Sequence, residues 1–187
     1  MCGIIAAASS RNVGKLLVQG LHRMEYRGYD SAGIALHQEE MVVHLRTLGK
    51  VKLLEEKMIQ ERPKSRLGIA HTRWATHGEP SEINAHPHKS SERIYIVHNG
   101  IIENHVELKK ELEEKGYAFI SQTDSELIAH LVEFYLQGSN SVIDAVYKAK
   151  EKLKGAYAIA VLDHQDPSNI VVARHKSPLL KIGRAHV

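Results

Sequence analysis

The chain is expected to fold as an α+β protein, with two mainly antiparallel sheets packed together and flanked by helices in a four-layer αββα sandwich. Three observations predict this. Strand-like runs come in adjacent pairs, helical stripes come in runs, and several strands carry almost no polar residues. A strand that is apolar on both sides needs cover on both faces, which two packed sheets and their helices supply.

The elements follow in chain order. GIIAAA (Gly3–Ala8) reads as a first apolar strand, and Val13, Leu16, Leu17, Leu21 and Met24 then recur at helical spacing, with Asn12 placed as the cap. Gly33–Leu36 and Met41–Leu45 form one strand pair, followed by single strands at Leu67–His71 and Ile94–His98. HVELKKELEEKGY mixes its charges as a solvated helix face does. Thr123 and Glu126 have capping-box spacing ahead of the stripe Leu127, Ile128, Leu131, Val132 and Tyr135. A further stripe runs through Val142, Ile143, Val146, Ala149 and Leu153. Ala156–Leu162 and Ile170–Ala173 close the series as a second strand pair, AYAIAVL being the most uniformly apolar.

Composition narrows the functional classes. A chain of 187 residues with 43% apolar and 25% charged residues is long enough to bury a core without disulfides or metals. Its single cysteine forms no internal bridge, and neither a signal peptide nor a run of about 20 apolar residues is present, so a cytoplasmic protein that engages no membrane is expected. The net charge of +3 does not mark a nucleic-acid binder, because basic residues are scattered among nearly as many acids and aromatics are only 5%.

The one cysteine, Cys2, stands directly behind Met1. A thiol attacks only as thiolate, and at an ordinary pKa of about 8.5 it is mostly protonated at neutral pH. An α-amino group, with a pKa of about 7.7–8, is well matched to serve as a base there. Removal of Met1 would place both groups on one residue, the N-terminal nucleophile arrangement. Attack on a carbonyl also needs fixed donors for the oxyanion, and Asn99-Gly100 after the strand IYIVH offers an amide and a backbone N–H. Taken alone, that dipeptide reads better as a plain turn.

The segments CGII, EYRGYDSAG, GIAHTRWATHGEPSEINAHPH, VHNGIIENH and SQTDSE occur in this order. Together they resemble the glutaminase domain of the class II glutamine amidotransferases, from Cys2 to about Ile182, with the N-terminal nucleophile hydrolase fold. YRGYDSAG with HTRWATHG is similar to the branch acting on fructose 6-phosphate, whereas amidophosphoribosyltransferase relatives look more like HRGQDSAG and HTRYST. The resemblance implies that Cys2 attacks the glutamine side-chain amide and that Asn99 and Gly100 form the oxyanion hole. It implies that Arg73 pairs with the α-carboxylate and Asp124 with the α-ammonium. Trp74, Thr76 and His77 would lie on a loop closing over glutamine, and Arg27 near the nucleophile. No cofactor is implied. Fructose 6-phosphate would be engaged only by sugar-isomerase domains absent from this sequence, and the full-length form is expected to be a homo-oligomer.

Two readings from other classes stand beside this one. His71, His77, His86, His88 and His98 suggest a metal-dependent hydrolase, although no HExxH pattern occurs and no metal site is expected. A non-catalytic glutamine-binding module is the second. Residues 2–187 are expected to be one glutaminase domain cut short at its C-terminal end. The family pattern continues through KSPLLKIG, and IGRAHV back-translates to a run resembling a sequencing adapter, so 184–187 are expected to be non-native. Ala6 stands where the family usually has Gly, and its methyl group is expected to perturb packing beside Cys2.

Overall fold

The computed structural model describes residues 2–75 and 78–183. Thr76 and His77 lie outside these described residues, as does the tail at 184–187.

Strands β1 (Gly3–Ala8), β2 (Ser31–His37), β3 (Val42–Leu48) and β4 (Leu67–Arg73) form one four-stranded sheet in the order β1-β4-β2-β3. Strands β5 (His88–Ser90), β6 (Ile94–Ile102), β7 (Gly155–Asp163) and β8 (Ile170–His175) form the other, in the order β5-β6-β7-β8. Every neighbouring strand pair is antiparallel, including the two pairs expected from the sequence, β2 with β3 and β7 with β8. Helices α1 (Gly14–Met24) and α2 (Val51–Glu61) cover the first sheet. Helices α3 (His105–Glu114), α4 (Ser125–Leu136) and α5 (Val142–Lys152) cover the second.

The period-two geometry of a strand explains the apolar runs, because successive side chains enter different cores. On β2, Ile34 and Leu36 pack on the α1/α2 side, whereas Ala35 faces the second sheet. On β6, Ile94 and Ile96 pack under α4, whereas Tyr95 and Val97 face the first sheet. β7 splits in the same way, with Ile159 and Val161 outward and Ala160 and Leu162 inward. This is the four-layer sandwich the sequence predicted.

Local details depart from the expectations. The strand β5 and the helix α2 were not anticipated; β5 is three residues long, and α2 buries only Val51 and Leu54. Asn12 sits one residue outside the α1 cap, where its Oδ1 accepts from the Gly14 and Ser65 N–H groups, both at 3.2 Å. The capping box at Thr123 and Glu126 does not form. Asp124 occupies the cap position of α4, and Glu126 reaches back to the Ile120 and Ser121 N–H groups at 3.0 and 2.7 Å. Those two backbone donors satisfy a buried carboxylate better than one cap N–H would. Ala6 is exposed, so its methyl group does not crowd the end of β1 that carries Cys2.

One glycine seats the segment before β5 on the first sheet. A Cβ on Gly33 of β2 would lie 2.1 Å from the His86 carbonyl oxygen and 2.8 Å from that of Leu45, so the 83–87 segment rests directly on the strand. The Arg46 Nη1 donates to the Ile83 and Ala85 carbonyls at 3.0 and 3.2 Å and holds the segment there. Gly33→Ala is expected to lower stability by about 1–3 kcal/mol, as overpacking against backbone does. Thermal unfolding of the variant beside the wild type checks this.

Candidate active site

Cys2 immediately precedes β1, and the β1–β4 register sets Gly3 opposite Thr72. The thiol therefore meets the chain leaving β4. The Trp74 N–H donates to Sγ at 3.1 Å, and the thiol donates to the Trp74 carbonyl at 3.5 Å. Burial pushes the thiol pKa above its ordinary value, partly offset by the Trp74 N–H and the Arg73 charge. In this environment the sulfur is held as a neutral thiol, and attack requires a base to take its proton.

The second sheet reaches the same point from across the sandwich. The Asn99 Nδ2 donates to the Cys2 carbonyl oxygen at 3.1 Å, linking β6 to the residue before β1. Gly100 follows with φ +135°, and a Cβ there would lie 2.1 Å from the Ala156 carbonyl oxygen, so only glycine fits. Cys2, Arg73, Trp74, His86, His98, Gly100, Thr123, Asp124 and Ser125 line one small pocket. A larger hollow of about 960 Å³, lined by residues such as Asn12, Glu40 and Arg66, lies at the other end of the strands.

Arg73 ends β4 as a buried cation. Its Nη2 donates to the Gly78 carbonyl at 3.1 Å and its Nη1 to the Glu79 carbonyl at 3.3 Å, so the guanidinium also organises the segment after β4. Asp124 is buried at the start of α4, but its side chain does not cap the helix; Oδ2 accepts from the Ile102 N–H at 2.8 Å. Its Oδ1 lies 4.0 Å from His98 Nδ1, which in turn meets Ser125 Oγ at 2.8 Å. Asp124 and Arg73 thus present opposite charges within the pocket that holds Cys2. Trp74 is half exposed and meets Tyr29 edge to face, with ring centroids 5.4 Å apart. Arg27 ends the 3-10 turn Glu25–Arg27, at the start of the EYRGYDSAG segment that leads to Asp30.

Sequence reasoning gave no role to Asp30, although the EYRGYDSAG segment contains it. Its backbone N–H donates to the Arg73 carbonyl at 3.2 Å, and its carboxylate accepts from the Ala75 N–H, so it clamps both sides of Trp74. His98, Thr123 and Ser125 were also assigned no role at the pocket they line. Three of the histidines form a packed cluster: His86 packs on His71 with tilted planes at a centroid distance of 4.1 Å and meets His88 edge to face at 4.7 Å. Among the described residues, no three of His, Cys, Asp and Glu converge to hold a metal ion.

Burial holds His71 and His88 neutral down to about 3, and pushes His86 well below its ordinary 6.5. In the unfolded chain these rings bind protons near 6.5, which the folded state refuses. Stability therefore falls as the pH drops below about 6.5, each of the three rings acting in the same direction, and these rings add no further pH dependence above about 7. Glu126 adds a later loss in the same direction. Burial pushes its carboxyl up, but the His130 ring 3.7 Å away and hydrogen bonds from the Ile120 and Ser121 N–H groups hold it at about 2. The melting temperature is expected to be flat from pH 7 to 8 and to fall steeply from 6.5 to 4.5, as circular dichroism melts across that range would show.

Comparison with known proteins adds three findings. A family model described as a glutamine amidotransferase domain matches residues 71–181. Curated relatives named glutamine–fructose-6-phosphate aminotransferase (isomerizing) are 56% identical in Haemophilus ducreyi and 50% identical in Escherichia coli K12, each over 96% of this chain. The chain spans about 30% of the length of these relatives. A solved structure of glutamine phosphoribosylpyrophosphate amidotransferase from B. subtilis shares the fold, with a TM-score of 0.78 at 24% identity over 93% of this chain and 37% of that one. The structure of an allosteric regulatory enzyme of purine biosynthesis aligns with a TM-score of 0.76 at 26% identity, covering 88% of this chain and 36% of that one.

Proposed function

The chain belongs to the glutamine amidotransferase domain family, and from that premise we propose that its site hydrolyses the side-chain amide of L-glutamine to glutamate and ammonia. The observation that carries this reading is the meeting of Cys2, Arg73, Trp74, Gly100 and Asp124 in one pocket. They supply a nucleophile, two opposite charges for the α-carboxylate and α-ammonium, and backbone geometry suited to an oxyanion.

The steps derive from the groups present. With Met1 removed, the Cys2 α-amine takes the thiol proton, and Sγ attacks the glutamine amide carbon. The oxyanion accepts hydrogen bonds from the Asn99 side chain and the Gly100 N–H. Asn99 already gives one amide hydrogen to the Cys2 carbonyl, which leaves its second for this task. The Cys2 α-ammonium returns its proton to the departing nitrogen, ammonia leaves, and water cleaves the γ-glutamyl thioester. Arg73 holds the α-carboxylate through its planar fork, and Asp124 holds the α-ammonium. Trp74 flanks the bound substrate, and Arg27 supports the nucleophile's surroundings. The raised thiol pKa supports the need for the amine, because an unassisted Cys2 would stay protonated.

The relatives' name extends the proposal. Within a longer protein of that kind, the ammonia released here would aminate fructose 6-phosphate to glucosamine 6-phosphate in a homo-oligomeric assembly. Residues 2–187 would belong to its glutaminase domain, with the sugar chemistry outside them. A cytoplasmic setting suits this role, and no described helix is long and apolar enough to cross a membrane.

Glutamine hydrolysis should be measured on protein whose amino terminus has been defined by mass spectrometry. Processed protein is expected to turn over, whereas Cys2→Ala or an N-terminal extension reduces the rate to background. Wild-type activity in Cys2→Ala would overturn the proposal. Asp124→Asn is expected to raise KM for glutamine about 10–100-fold with a smaller change in kcat, as loss of a charge-assisted contact of ~1.5–3 kcal/mol predicts.

A further inference from the structure

His71 lies fully buried on β4 and faces β6 across the sandwich. Its Nε2 is 3.1 Å from the His98 carbonyl oxygen and 2.9 Å from Asn99 Oδ1. A backbone carbonyl only accepts, so the nitrogen facing it must carry the hydrogen, which fixes the ring as its Nε2–H tautomer. That N–H also meets the Asn99 side chain, so the Asn99 atom facing it must be the oxygen. The Asn99 amide then has one allowed orientation, with Nδ2 turned toward Cys2 and donating to its carbonyl at 3.1 Å.

Among the described residues, the groups that act on the ring are the His98 carbonyl and imidazole, the Asn99 amide, His86 and the Arg73 cation, and none of these is an anion that would favour an imidazolium. Burial keeps the imidazole neutral down to about 3. The ring packs on His86 at a centroid distance of 4.1 Å, with the planes tilted by 35°.

We propose that His71 is a positioning residue that holds the Asn99 amide with its N–H groups, rather than its oxygen, toward the carbonyl being attacked. This rests on Asn99 acting as the oxyanion donor. A flipped amide would set an oxygen lone pair against the developing negative charge, so the cost of losing His71 appears in the transition state.

The test is a double-mutant cycle on glutamine hydrolysis with correctly processed chain. His71→Leu is expected to lower kcat about 10–100-fold, with KM within about threefold, because Arg73 and Asp124 are untouched. His71→Gln, whose amide can donate from nearly the same place, is expected to recover a large part of that loss. In an Asn99→Ala background, His71→Leu should cost less than about twofold more, since the group it positions is gone. Should His71→Leu fail to fold, His71→Phe keeps a planar ring without the donor and takes its place in the cycle. Losses that multiply through the cycle would overturn the proposal and leave Asn99 as the donor. Wild-type kcat in Asn99→Ala would instead remove the oxyanion assignment itself, and this inference with it.

Discussion

The close packing of two sheets through one thin apolar layer is the constraint on which the rest of the molecule depends. Small residues, Ala35 and Ala160, sit among Val42, Leu67, Ile69, Tyr95, Val97 and Leu162 in that layer. Apolar burial of this kind drives the sheets together, and it brings β4 and β6 near enough for side chains to bridge them. The Asn99 amide reaches the Cys2 carbonyl, and His71 reaches Asn99, only because of that approach. Residues almost 100 positions apart in the chain thereby share one pocket.

Polar groups inside such a layer must be satisfied or kept neutral, and the site follows both rules. Histidines at 71, 86 and 88 stay uncharged because desolvation by burial is the largest influence on each ring. Asp124 secures one oxygen on the Ile102 N–H, and Arg73 commits two donors to the carbonyls of Gly78 and Glu79. The same burial holds the Cys2 sulfur as a thiol, which makes a nearby base a chemical necessity rather than a refinement. Function and folding thus draw on the same low-dielectric interior.

The long apolar runs were legible because period-two alternation between two cores leaves no room for polar residues in β6 or β7. Elements with weak patterns were not: α2 buries only two side chains, and β5 is held by the edge of β6 rather than by its own propensity. Thr123 and Glu126 had the spacing of a capping box, yet the buried Glu126 took the stronger backbone donors at 120 and 121. Asp30 gave no signal of its clamp on Arg73 and Ala75, since both partners lie more than 40 residues away. The histidine-rich stretch was the most ambiguous feature, and only the packing and burial of its rings showed a neutral cluster.

By itself, the sequence determined the α+β sandwich, the family and the residue types needed for one reaction. Those depend on local periodicity and on motifs long enough to be specific. Tertiary structure alone decided how the thiol is protonated, which tautomer His71 holds and which way the Asn99 amide faces. Each of these is set by a carbonyl, an N–H or a desolvating wall contributed by a distant strand, and no local pattern encodes such an encounter.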